Sequence, residues 1–327
     1  MATLQSLIDG LAAATATISS SVLSPPASPQ FLTQDAITIP ASGFSAVYAF
    51  GDSLSDAGND SIATLGVVPA SPYSDGRFTN GNVWVQDLSQ DLGLPPVKAS
   101  LAGGTDYAYG GAETGTTAVH TANPTDLASQ LGQFVANVPN PSPNALYTVW
   151  AGSNDVLDIA NSTLTPAQQQ AAVQQAVNNE TSFIDGLVAD GAKNLMVLDV
   201  PDLGKTPYEM ARPASDAASS TLAQDFNNDL ATALQHIMAT GVASIDLIDT
   251  YSLLDTAIAN PSAYGFTNVT QPVWTGDLTD SQSGVLNATG AAQNGYLFFD
   301  DLHPTAAGHT LLADAALDSL NHTPVSA

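Results

Sequence analysis

There is no cysteine in the chain, which removes thiolate nucleophiles, disulfide frameworks and cysteine-based zinc sites. That absence leaves the compartment open, because a chain without thiols folds in oxidising and reducing surroundings alike. Basic residues are almost as scarce. Five Lys and Arg stand against 31 Asp and Glu, a formal net charge of −26 at pH 7, and the first of the five is Arg77. So negative a surface repels phosphate backbones and anionic headgroups, which excludes nucleic acid as a partner and favours neutral or cationic substrates. The same acidity keeps a protein soluble and by itself names no substrate. No apolar run is long enough to cross a bilayer. Met1 to Ser21 has neither the basic start nor the undiluted apolar core of a Sec signal.

With 327 residues, 44% of them hydrophobic, the chain has enough apolar material for one large α/β domain or two small ones. The stretch Val47-Tyr48-Ala49-Phe50-Gly51-Asp52-Ser53 reads as a buried strand that ends at a glycine and delivers a serine onto a turn. Ligands of open α/β sheets bind at the carboxyl ends of the strands, so Ser53 is a candidate nucleophile; it could equally cap a helix. A second apolar run, Ala145 to Trp150, ends at Gly152-Ser153-Asn154, which predicts two strand ends facing one crevice. A serine hydroxyl needs an imidazole base, and the imidazole needs a carboxylate to hold its tautomer. Asp300 and His303, three residues apart around a turn, can supply both. Asp300, Asp301, His303 and His309 could instead hold a divalent ion, although no His-Glu-x-x-His accompanies them. There is no Gly-x-Ser-x-Gly of the α/β-hydrolase type either.

Gly51-Asp52-Ser53-Leu54-Ser55, Gly110-Gly111-Ala112, Gly152-Ser153-Asn154-Asp155 and Asp300-Asp301-Leu302-His303-Pro304, in that order, resemble the four blocks of the GDSL/SGNH hydrolase superfamily. Asp75 to Gly81, Pro143 to Tyr147, Pro201 to Pro207 and Asn260-Pro261-Ser262 resemble its phospholipase/lecithinase/haemolysin-like branch, especially esterase passenger domains of bacterial autotransporters. The resemblance covers roughly residues 45 to 320. It implies an α/β fold, a three-layer α/β/α sandwich around a mainly parallel, flavodoxin-like sheet. It further implies a secreted or extracellular serine esterase or lipase, with a cytoplasmic location left open by the missing Sec signal. Ser53, Asp300 and His303 would be its triad. Ser53, Gly111 and Asn154 would form its oxyanion hole. Asp52, Leu54, Gly110 and Trp274 are further candidates for the substrate pocket. Where the family usually has Asn, this chain has Asp106.

Along the chain, residues 1–44 form an N-terminal extension: Leu4, Leu7, Ile8 and Leu11 predict a short amphipathic helix, followed by a Ser/Pro-rich linker. Residues 45–322 make up the hydrolase domain, and 323–327 a tail. Residues 57–80 read as a long loop beside the nucleophile. Helices are predicted over 82–92, 126–138, 165–190 and 221–238, with strands over 194–200 and 242–248. Strand and helix alternate, which predicts a parallel sheet covered on both faces. Residues 252–298, rich in Asn, Gly, Thr and Ser, read as a lid or substrate wall, or as a surface excursion with its own small core.

The expected chemistry is acyl transfer to Ser53 and then to water, which calls for no cofactor and no metal. Short- to medium-chain acyl esters or lipids are the expected substrates, with carbohydrate O-acetyl groups as the alternative. A non-catalytic binding module on an esterase-like scaffold is the rival of another class. The sequence carries no sign of the oligomeric state.

Overall fold

The computed structural model describes residues 43–212 and 215–322. The helix expected over Leu4 to Leu11, the linker after it up to residue 42, and the tail at 323–327 lie outside the described residues. Four five-residue strands, β1 (Val47–Gly51), β2 (Leu146–Trp150), β3 (Asn194–Leu198) and β4 (Ser244–Ile248), form one parallel sheet in that order. Register is fixed at Phe50 opposite Val149, Val149 opposite Val197 and Val197 opposite Leu247. Residues 105–109 run beside the free edge of β1. The Ala49 N–H donates to Thr105 O, while Tyr107 and Tyr109 donate to Ala49 O and Gly51 O. This rudimentary fifth strand gives the doubly wound order in which the second segment in the chain lies outside the first.

Successive side chains point to opposite faces, and the two cores sort accordingly. Phe50, Tyr147, Val149, Leu195, Val197 and Ile245 pack on one face against α3 (Leu127–Asn137), α4 (Ser153–Ala160), α5 (Pro166–Asp190) and α7 (Asp216–Ala239). Val47, Ala49, Leu146, Trp150, Met196, Leu198 and Ile248 pack on the other, against α2 (Trp84–Asp91), α8 (Thr250–Ala259) and α9 (Ala306–His322). Three layers result, with a one-turn helix, α6 (Pro207–Met210), preceding α7. Because both faces are covered, the strands read as continuous apolar runs rather than alternating ones.

Most of the expected elements are present, with three differences. The loop at 57–80 contains a one-turn helix, α1 (Asn59–Ala63), whose first N–H groups are gathered by the Asp56 carboxylate. The helix expected from residue 221 begins five residues earlier, at Asp216. The segment 252–298 is not one irregular excursion: its start belongs to α8, where Leu253, Leu254 and Ala257 recur at helical spacing. The remainder builds small cores of its own around Trp274 and Phe266. No helix among the described residues is long and apolar enough to cross a membrane.

Candidate active site

At the end of β1 the chain must turn within van der Waals reach of β2. A Cβ on Gly51, whose φ is +138°, would collide with the Trp150 carbonyl oxygen, so only glycine fits. The turn that follows is closed by Ser55 and Asp56 N–H groups donating to Asp52 O, and by the Leu54 N–H donating to Asp52 Oδ1. Ser53 rides on its tip, 8% exposed, with Oγ free to face the crevice. Gln130 of α3 locks the approach to this turn: its Oε1 accepts from the Gly51 N–H and its Nε2 donates to Gly51 O.

Asp300 and His303 arrive on the tight turn before α9. Asp300 Oδ1 accepts from the Leu302 and His303 N–H groups at 2.8 and 2.7 Å, and its Oδ2 lies 2.7 Å from His303 Nδ1. Tyr73 OH donates to the same Oδ2 at 2.6 Å. Burial works to raise the Asp300 pKa, but the His303 ring and the hydrogen bonds from His303 and Tyr73 outweigh it and hold the carboxyl below its ordinary value. A carboxylate can only accept, so Nδ1 carries the proton and donates. His303 Nε2 is thereby left as an acceptor for the Ser53 hydroxyl, 2.8 Å away. The ring also lies against Phe78, with centroids 5.3 Å apart. Burial opposes the imidazolium, yet Asp300, Asp52 and Asp301 together raise the His303 pKa above its usual value.

Asp52 lies beneath the turn, buried, and burial above all pushes its pKa up to about 7, with the Asp155 charge adding to the rise and Leu54 N–H and His303 opposing it. The Asp52 carboxylate in turn favours the His303 imidazolium. In Asp52→Asn the Leu54 N–H keeps its acceptor, but a negative charge that favours the imidazolium is gone. The neutral base then forms at lower pH, so the acid limb of the kcat/KM profile moves downward. An unmoved limb, or one displaced upward, would refute this coupling.

Of the three groups expected to form the oxyanion hole, Ser53 and Asn154 line the crevice. Neither the Ser53 nor the Gly111 N–H has an acceptor among the described residues. Gly111 has φ +69° and open space around its Cα, an exposed left-handed corner at which a side chain would be strained. The third group is the Asn154 amide, presented by the first turn of α4. One of its two protons is donated to Ala112 O at 2.9 Å, and the side chain lines the crevice. Asp155 reinforces the same junction by accepting from Thr114 N–H and Oγ1.

Some candidates sit elsewhere. Leu54 and Asp52 line the crevice with Ser53. Gly110 instead packs on Phe78 and Asp60, and its N–H donates to the Asp60 carboxylate. Trp274 is 3% exposed, packs with Tyr73, Val273 and Phe299, and does not line the crevice. Asp301 is exposed, and His309 turns inward to accept from Trp84 N–H. No group of three or more metal-ligating side chains occurs among the described residues. Asp106 suits its setting: its two oxygens accept from the Ala57 and Ala108 N–H groups, whereas an Asn amide would offer a donor to one of them. Sequence reasoning missed Tyr73, Gln130 and Phe78. Only Phe78 had a local signal, since it lies within the Asp75 to Gly81 motif.

A sequence model described as GDSL-like Lipase/Acylhydrolase matches residues 47–316. The chain is 28% identical to a phosphatidylcholine-sterol acyltransferase from Aeromonas hydrophila, over 84% of this chain and 89% of that one. It is 27% identical to an acetylesterase from Thermothelomyces thermophilus, over 89% and 97% respectively. Among solved structures, an acetylxylan esterase from Geobacillus stearothermophilus covers 88% of this chain and 99% of its own at 14% identity, with a TM-score of 0.44.

Proposed function

The chain belongs to the GDSL-like lipase/acylhydrolase family and is an ester hydrolase of that type, and from that premise we propose that Ser53 is its nucleophile, His303 its base and Asp300 the group that orients the base. The observation that carries this reading is the continuous path from Asp300 Oδ2 through His303 to Ser53 Oγ, with both links below 3 Å. As Ser53 Oγ attacks an ester carbonyl, His303 Nε2 takes its proton and returns it to the departing alcohol. Water, activated by the same nitrogen, then releases the acyl group. Developing charge on the carbonyl oxygen is met by the Ser53 and Gly111 N–H groups and the free Asn154 amide proton.

A fluorophosphonate is expected to label Ser53 and to stop ester hydrolysis in proportion. Turnover persisting in fully labelled protein would remove Ser53 from the mechanism and return the scaffold to a binding role. Asn154→Ala is expected to lower kcat by roughly 10²–10³ while KM changes little, because its amide meets charge that exists only in the transition state. A rise in KM with kcat intact would instead assign Asn154 to ground-state binding.

A further inference from the structure

The crevice does not stop at Ser53. From Ser53 and Asn154 it follows the carboxyl edge of the sheet and descends between α8 and α9, walled by Leu253, Leu254 and Ala257 on one side and by Gly308, Leu311 and Leu312 on the other. Each wall spans five residues of helix, about 6 Å from first to last. Ser53, Asp52, Asn154 and His303 line the crevice together with Ser153, Thr206 and Thr250, the last at the first turn of α8 with its hydroxyl already donated to Asp199, whereas further along α8 and on α9 the lining is Leu, Ala and Gly. A sugar ring there would bury hydroxyls without partners, which is costly, whereas methylenes would leave water for apolar surface.

We propose that this interhelical groove holds the acyl chain, so that esters of medium-chain fatty acids are preferred to acetates, with Ala257 and Leu254 setting the chain length; this rests on Ser53 being the nucleophile. When the Ser53 Oγ to carbonyl-carbon bond forms and the bond to the alcohol oxygen breaks, the alcohol takes the proton from His303 and must leave for bulk water. The acyl half stays bonded to Ser53 until a water oxygen replaces Oγ. A buried apolar groove opening at Oγ suits the half that stays.

The test is kcat/KM for p-nitrophenyl acetate, butyrate, hexanoate and octanoate, and for a parallel series of acetates from ethyl to octyl. The wild type is expected to gain about fourfold per methylene in the acyl series, on the order of 10² between acetate and hexanoate, and little in the alcohol series. Ala257→Leu and Leu254→Trp are each expected to cut the octanoate-to-acetate ratio at least tenfold. Both esters are read on one sample, so partial unfolding cancels in the ratio, and the second variant serves if the first does not fold. An acetate optimum in the wild type, a ratio unchanged in the variants, or a shift confined to the alcohol series overturns the groove. Ser53→Ala separates the failures: activity that survives it overturns the nucleophile and the groove with it, whereas Ser53-dependent activity with an unchanged ratio overturns the groove alone.

Discussion

Ser53→Ala is expected to reduce kcat for p-nitrophenyl butyrate by on the order of 10⁶, with KM and thermal midpoint close to wild type. The size follows from how the parts depend on one another. With Oγ gone, the His303 base has no proton to take and the acyl group has no covalent acceptor, so only the oxyanion donors and binding remain; in serine hydrolases these retain roughly 10³–10⁴ over water. The fold should tolerate the change, because the turn is held by Asp52 and by Gln130 rather than by Oγ. Rates of p-nitrophenol release by wild type and variant, measured alongside a circular dichroism melt, decide the matter. A variant that keeps a tenth of wild-type turnover would require another nucleophile. Loss of activity together with a collapsed melt would show Ser53 to be a structural residue.

What the sequence could and could not reveal follows from the range of the interactions. The end of β1 was legible because an apolar run, a steric demand for glycine and a polar turn are all local, and the same holds for the Asp300 to His303 turn. The layered α/β arrangement was legible because helices such as Pro166–Asp190 carry long apolar stripes with local stops at Thr165 and Gly191. Tyr73 and Gln130 were not legible, since their partners Asp300 and Gly51 lie 227 and 79 residues away. No pattern within a window encodes such a pair. Trp274 was misjudged for a related reason: an aromatic in a polar segment reads as a pocket wall until Tyr73 and Phe299 are seen to enclose it. The start of α8 was hidden by the Asn, Thr and Ser around it, although the spacing of Leu253, Leu254 and Ala257 was there to be read.

Asp300→Asn is expected to lower kcat by roughly 10⁴ while leaving the fold in place, and the reason is geometric rather than electrostatic alone. Oδ1 of residue 300 accepts two backbone N–H groups, from Leu302 and His303, and only an amide oxygen can take that role. The amide nitrogen must then face His303 Nδ1, where the carboxylate Oδ2 now accepts. Two donors cannot share that contact, so the imidazole moves its proton to Nε2 and offers Ser53 a hydrogen where it should offer a lone pair. Loss of the carboxylate also removes the chief influence that raises the His303 pKa, so the residual activity should titrate at lower pH than in the wild type. Asp300→Ala behaves differently: it leaves the His303 and Leu302 N–H groups and the Tyr73 hydroxyl without an acceptor and should lower the thermal midpoint as well as the rate. Measuring kcat against pH and thermal melting for both variants separates the two effects. An Asn variant within tenfold of wild type, or one whose acid limb rises, would mean that Asp300 does not set the His303 tautomer.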